Sequence, residues 1–225
     1  MSDRTSPDTA ELRAVSRRLE ALPIRHAAAE SIAWAIGEFG DAVVASSFQD
    51  VVLVDLVRKA KPDIEIVFLD TGYHFRETLA FVEHLGKTWE LNLTVTHPEV
   101  AMDEYVCGRA GCCQKRKVEP LQKAIAGHSA WITGLKRVDT PERADAPVVA
   151  WDAGRGMVKV NPLATWTDDD INDYLAEQAL PLHPLWYAGY VSIGCAPTTT
   201  PVAEGQNPRE GRWPGQDKTE CGLHI

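Results

Sequence analysis

The sequence predicts an α/β fold, a mostly parallel sheet flanked by helices. Short apolar runs at 41–45, 64–69, 91–96 and 129–134 alternate with stretches whose hydrophobic residues recur every three or four positions. Strands and helices in that alternation build βαβ units. The 225 residues, 44% of them hydrophobic, suffice for one large core.

Taken in order, 9–22 and 24–38 read as amphipathic helices, and Asp41–Ala45 as a short strand. Ser46-Ser47-Phe48-Gln49-Asp50 then turns into a helix running to about Lys59. A strand at 64–69, a helix at 74–87, a strand at 91–96, a helix at 113–126 and a strand at 129–134 follow. Residues 147–160 suit a hairpin. Thr167 followed by Asp168, Asp169 and Asp170 suits the start of a helix reaching about Gln178, because a hydroxyl caps free N–H groups and acids offset the helix dipole. The expected organisation is a disordered leader at 1–10, a single α/β domain at 11–199, and a Gly-, Pro- and charge-rich loop and flexible tail at 200–225.

The balance of 23 basic and 32 acidic side chains gives a net charge of −9. That argues against a nucleic-acid partner, and any anionic substrate must be held by a local cluster of cations. No apolar run approaches the ~18 residues of a membrane span, and Met1-Ser2-Asp3-Arg4 lacks the layout of a signal peptide. A soluble cytoplasmic protein is expected, with no membrane partner. Oligomeric state stays open, a homo-oligomer included.

Ligands of open parallel sheets bind beyond the carboxyl ends of the strands. Three short sequences lie there: Ser46-Ser47, Leu69-Asp70-Thr71-Gly72, and Thr133-Gly134-Leu135-Lys136-Arg137. Hydroxyls and free N–H groups at Ser46 and Ser47 suit an anion, although Ser47 could equally cap its helix. Asp70-Thr71-Gly72 could equally be an ordinary turn. Together they suggest a nucleotide.

Five cysteines in a chain of this kind point to metal or redox chemistry rather than a disulfide framework. Cys112 and Cys113 diverge by about 100° at the start of a helix, yet both can converge on a polynuclear cluster. Cys195, in a turn, adds a third thiol. Three thiols in two segments suit iron–sulfur better than zinc, though four thiolates are usual; buried small hydrophobes are the plainer alternative. Cys107 has no obvious partner and reads as incidental, with a replacement ligand as the other option. Cys221 is different: a thiol on a polar, Gly-containing tail is placed to reach a substrate, react and swing away, as a nucleophile working at two stations. Lys117 and Arg116 fall one turn beyond Cys113 and Cys112 and share their faces. Lys136, Arg137, Arg143, Arg209 and Arg212 cluster in loops, and Arg suits bidentate recognition of sulfate or phosphate.

The Cys-Cys-x-x-Arg-Lys-Val-x-Pro-Leu stretch from Cys112 to Leu121 resembles the phosphoadenylyl-sulfate/adenylyl-sulfate reductase family. So do Leu-Asp-Thr-Gly (69–72), Gly-Arg-Trp (211–213) and Lys-Thr-Glu-Cys-Gly-Leu-His (218–224). Lys-Val-Asn-Pro-Leu-Ala (159–164) and Ser-Ile-Gly-Cys-Ala-Pro (192–197) look like its bacterial cluster-bearing branch. The resemblance runs from about residue 40 to the end. It implies a fold like that of adenine-nucleotide α-hydrolases, with a pyrophosphatase-type (PP) loop at Ser46–Asp50. It also implies that Cys221 attacks the sulfonyl sulfur of adenosine 5′-phosphosulfate, that AMP departs, and that thioredoxin releases sulfite from the S-sulfocysteine. By the same resemblance Lys117, Arg143, Arg209 and Arg212 would hold the phosphosulfate. Ser46, Ser47, Leu69, Asp70, Thr71, Gly72 and Gly134 would line the nucleotide site, and Cys112, Cys113 and Cys195 would bind a 4Fe-4S cluster.

Two features depart from the branch. Where it has Cys-x-x-Cys after Ile-Gly, the second position here is Thr198, a hard and weak ligand for iron beside thiolates. The segment before Cys112 is also short. The competing readings are a reductase of the 3′-phosphorylated substrate, a nucleotidyl transferase of the PP-loop superfamily, and an inactive cluster-binding homologue.

Overall fold

Side-chain alternation along the strands divides the core in two. The computed structural model describes residues 8–203 and 205–224. Its six strands are β1 (Val43–Ala45), β2 (Ile66–Leu69), β3 (Leu93–Thr96), β4 (Ala130–Thr133), β5 (Val149–Asp152) and β6 (Met157–Val160), in the order β3-β2-β1-β4-β6-β5. All neighbours are parallel except the β5–β6 hairpin. Val44 pairs with Ile66 and with Ile132, and Ile132 with Val160, so these side chains share one face. That face meets the first helices, α1 (Thr9–Glu20), α2 (Ile24–Glu38) and α3 (Val52–Ala60), together with α4 (Arg76–Thr88) and α6 (Asp168–Glu177). Val43, Val67, Trp131 and Met157 point the other way and pack on Leu121 and Ile125 of α5 (Glu119–Ile125). Strands covered on both sides read as continuous apolar runs, which is why β1, β2 and β4 stand out in the sequence.

The expected elements all form, with ends shifted by a few residues. The hairpin at 147–160 joins the main sheet through β6, which pairs in parallel with β4. Thr167 and Asp170 form a reciprocal capping box at the start of α6. Of the expected leader, residues 1–7 lie outside the described residues. Thr9 and Ala10 already belong to α1, whose first N–H groups are capped by Asp8. Two departures concern the site. The helix after β1 begins only at Val52, where the Asp50 carboxylate accepts from the Val52 amide; Ser46–Val51 is a loop, and Ser47 does not cap the helix. The expected helix at 113–126 opens with a π-helical turn, Gln114–Val118, before α5. Such widened turns concentrate at functional sites. Among the described residues no helix is long and apolar enough to cross a membrane.

Candidate active site

The chain reverses direction across the sheet between β1 and β4, and a cavity opens beyond their carboxyl ends. Ser46, Ser47, Leu69, Thr71 and Gly134 line it from the strand ends. The Ser46 hydroxyl accepts from the Phe48 amide (3.1 Å), and Phe48 takes a left-handed φ of 55°, so the loop turns back before α3. Asp70 and Gly72 are not among the lining residues. The Asp70 carboxylate accepts from the Gly72 amide (2.9 Å), and Gly72, at φ +78°, packs where a Cβ would strike the Met102 sulfur. These two residues shape the loop that presents Leu69 and Thr71.

The opposite wall is cationic. Lys117 projects into the cavity from the π turn and is 9% exposed. Burial pushes its pKa down, but charge on the Cys195, Cys221 and Cys113 sulfurs more than reverses this, so the ammonium is favoured. Arg116, expected beside it, turns away and is buried under the 101–105 loop, donating to backbone carbonyls of Glu104 (2.7 Å) and Tyr105 (3.1 Å). The π turn separates the two directions.

Arg209 and Arg212 reach the cavity from a short turn at Pro208–Gly211 and the residue after it. Both guanidiniums lie over the Trp213 indole, at 5.7 and 4.7 Å, and Lys218 lies over the same ring at 5.2 Å. A buried aromatic ring thus gathers three cations that would otherwise repel. Arg212 has room because Gly194 lacks the side chain that would overlap it. Among the described residues, Arg209 Nε and Arg212 Nε are buried without a hydrogen-bond partner. Buried donors left unpaired are costly, and an anion in the cavity would satisfy them.

Arg143 also lines the cavity, but its guanidinium grips the Glu220 carboxylate through Nε and Nη2 and bonds Asp139 at 2.8 Å. It latches the tail. Burial raises the Glu220 pKa, but hydrogen bonds and charge from Arg143, with a hydrogen bond from Thr140, more than offset that, and the net shift is downward.

The tail is seen docked, which brings half-buried Cys221 to the same cavity as Lys117 and Arg212. Leu223 joins the α5-side core. His224 stacks on Trp131, with centroids 5.9 Å apart and planes at 10°, facing Lys159, Arg155, Arg143 and Arg209. Burial and those cations hold the docked imidazole well below its usual value. A released His224 titrates near its ordinary ~6.5. A depressed docked value means docking is fully favoured above about pH 6.5 and weakens as pH falls through it, by up to about tenfold per unit. Glu220, held below the usual carboxylate range, stays ionised in that window. Hydrogen exchange of the 219–224 amides, corrected for intrinsic rates, should show protection falling from about pH 7.5 to about pH 5.5. His224→Phe, which keeps an aromatic ring, should flatten the response; an equally steep response in that variant would refute the assignment.

A group of four cysteines lies near the cavity but outside its lining, where Cys221 is the one cysteine among the described residues. The Cys195 thiol lies 3.5 Å from the Thr71 hydroxyl, and residue 195 pairs with His74 across an isolated bridge. The Lys218 ammonium donates to Cys113 Sγ at 3.2 Å. Cys107 is not without a partner: its thiol lies 3.7 Å from the Thr198 hydroxyl, and it interacts electrostatically with Cys195 and Cys112. The separation of 91 positions from Cys107 to Thr198 hides this contact from any local reading of the sequence. Among the described residues no three His, Cys, Asp or Glu side chains surround one point as a single ion requires. A cluster makes no such demand, because each thiolate meets its own iron, and soft donors drawn from three segments suit iron–sulfur.

A mostly parallel sheet with a cavity beyond its strand ends, and a tail thiol beside arginines at that cavity, define an α/β domain of the open-sheet class. Residues 41–201 match the phosphoadenosine phosphosulfate reductase domain. The chain belongs to that family. It is 42% identical over 235 aligned residues to the adenosine 5′-phosphosulfate reductase of Mycolicibacterium smegmatis, covering 100% of each chain. The crystal structure of phosphoadenylyl-sulfate reductase from Candida auris superposes with a TM-score of 0.73 at 25% identity, covering 87% of this chain and 99% of that one. The FMN adenylyltransferase of Candida glabrata shares the fold, with a TM-score of 0.60 at 15% identity over 90% of this chain and 79% of its own.

Proposed function

We propose that this chain reduces adenosine 5′-phosphosulfate to sulfite and AMP in assimilatory sulfate reduction, working in the cytoplasm with reduced thioredoxin as electron donor. The observation that carries the reading is Cys221 at one cavity with the strand-end loops, Lys117 and the unpaired Arg209 and Arg212 donors. The Cys221 thiolate attacks the sulfonyl sulfur as the S–O bond to the phosphate breaks, and AMP leaves with that electron pair. Arg209, Arg212 and Lys117 face the phosphosulfate and offset the charge that develops on the leaving phosphate. A thioredoxin thiolate then attacks Cys221 Sγ, sulfite departs with the S–S electron pair, and the second thioredoxin thiol restores Cys221. The dithiol supplies both electrons.

The tail must open between these steps, because Cys221 is half-buried against the cavity when docked. Cys112, Cys113 and Cys195 would hold a 4Fe-4S cluster, whose bound charge would act beside Lys117. Five free cysteines are consistent with a reducing compartment. Reduction of the unphosphorylated nucleotide is favoured over that of its 3′-phosphorylated form by the activity of the relatives together with the group of cysteines. The test is mass analysis of the chain incubated with adenosine 5′-phosphosulfate without thioredoxin. A sulfonate adduct confined to the C-terminal peptide, discharged by reduced thioredoxin, is the expected result. Pyrophosphate release from ATP with no adduct would instead support nucleotidyl transfer.

A further inference from the structure

We propose that Cys107 supplies the fourth thiolate of the iron–sulfur cluster, in place of residue 198, where this chain has threonine. The inference rests on the cluster reading above and deepens it.

Cys107 is the sulfur beside residue 198. Its thiol lies 3.7 Å from the Thr198 hydroxyl, and Thr198 ends the short turn that Cys195 begins. The loop that carries it is anchored. Arg116, 1% exposed, donates to the carbonyls of Ala101, Glu104 (2.7 Å) and Tyr105 (3.1 Å), and at 3.4 Å to that of Thr71. One buried guanidinium therefore ties the cysteine loop to the nucleotide loop. The charge is satisfied by four carbonyls, as a buried cation requires.

The backbone is built for the return. Gly108 and Gly111 take left-handed φ values of +84° and +76°, which let the chain turn sharply between Cys107 and Cys112. A Cβ on Gly108 would press within 3.3 Å of the Thr198 methyl.

Chemistry then divides the roles. A threonine hydroxyl is a hard, neutral ligand, whereas a thiolate is soft and releases its proton on binding iron. The Thr198 hydroxyl lies 3.4 Å from the Cys195 carbonyl and within reach of Cys107. Thr198 is thus placed to hydrogen-bond the ligating sulfur from outside, the task of a supporting residue around a metal site.

The test uses the full-length chain purified without oxygen, with iron and acid-labile sulfide analysis and alkylation mapping. Wild type should hold about four irons and about four sulfides, with Cys107 shielded from alkylation until the iron is chelated away. Cys107→Ser should lose most of the iron, and adding Thr198→Cys to that variant should restore it. Full iron and sulfide in Cys107→Ser, with an unchanged visible spectrum, would overturn the proposal. So would an iron loss that Thr198→Cys does not repair, since that would mark a structural defect. Wild type without iron, or with a Cys107–Cys195 disulfide, would remove the cluster reading as well. The adduct on Cys221 is scored separately and distinguishes that failure from failure of the proposed reaction.

Discussion

Cys221→Ser is expected to eliminate sulfite production, by at least about a thousandfold. Two independent physical reasons make the loss complete rather than graded. A hydroxyl is far less ionised than a thiol near neutral pH, so the nucleophile is scarce. Even an attack by serine would leave the sulfur at its starting oxidation state, as a sulfate ester. Only the S–S bond of an S-sulfocysteine can be opened by an external thiol with release of reduced sulfur. The substitution changes one atom at a half-buried position whose docking rests on Glu220, Leu223 and His224, so folding and tail closure should persist. Sulfite and AMP should be measured together, because slow AMP release without sulfite would mark the oxygen attack. Sulfite formation at more than about a tenth of the wild-type rate would refute the two-station role of Cys221.

The parts of this protein that are legible in the sequence are those fixed by short-range pattern. β1, β2 and β4 are apolar on both faces, and residues such as Val43 and Val44 report burial whichever way they point. Thr167 and Asp170 lie three residues apart and cap one helix start. The loops after β1, β2 and β4 follow from strand ends, and the terminal cysteine from its setting in the tail. What escaped is held by contacts between distant segments. Cys107 meets Thr198 from a loop whose neighbouring carbonyls Arg116 holds, and nothing local distinguishes it from a stray thiol. Arg143 reads as a substrate ligand, yet the structure pairs it with Glu220, 77 residues on. Trp213 looks like part of a Gly-Arg-Trp signature, but its work is to carry Arg209, Arg212 and Lys218 on one ring. Its left-handed φ of 50° has no marker in the sequence. His224 could be placed only once Trp131 was known to face the α5 side of the sheet.

Arg212→Ala should lower kcat/KM for adenosine 5′-phosphosulfate by about a hundredfold to a thousandfold, the cost of removing a preorganised charged donor from a transition state. The residue has no other full-time role. It donates to the Ile193 carbonyl at 3.3 Å, near the long limit, and its Nε is buried without a partner among the described residues. Burial and the neighbouring Arg209 both disfavour its charge, so the guanidinium is held where its own environment resists it. An incoming dianion would relieve that cost, which makes the attraction strongest when substrate is bound. Stacking on Trp213 is worth only about 0.5–2 kcal/mol, so thermal unfolding should move little. Arg212→Lys separates charge from geometry. It keeps the cation but loses the planar fork, and should recover only part of the lost rate. The loss should fall on kcat as well as KM if the contact tightens as AMP departs, and on KM only if ground and transition states are held equally. Arg212→Ala within about threefold of wild type, or full recovery by lysine, would show that the cavity's anion is held elsewhere.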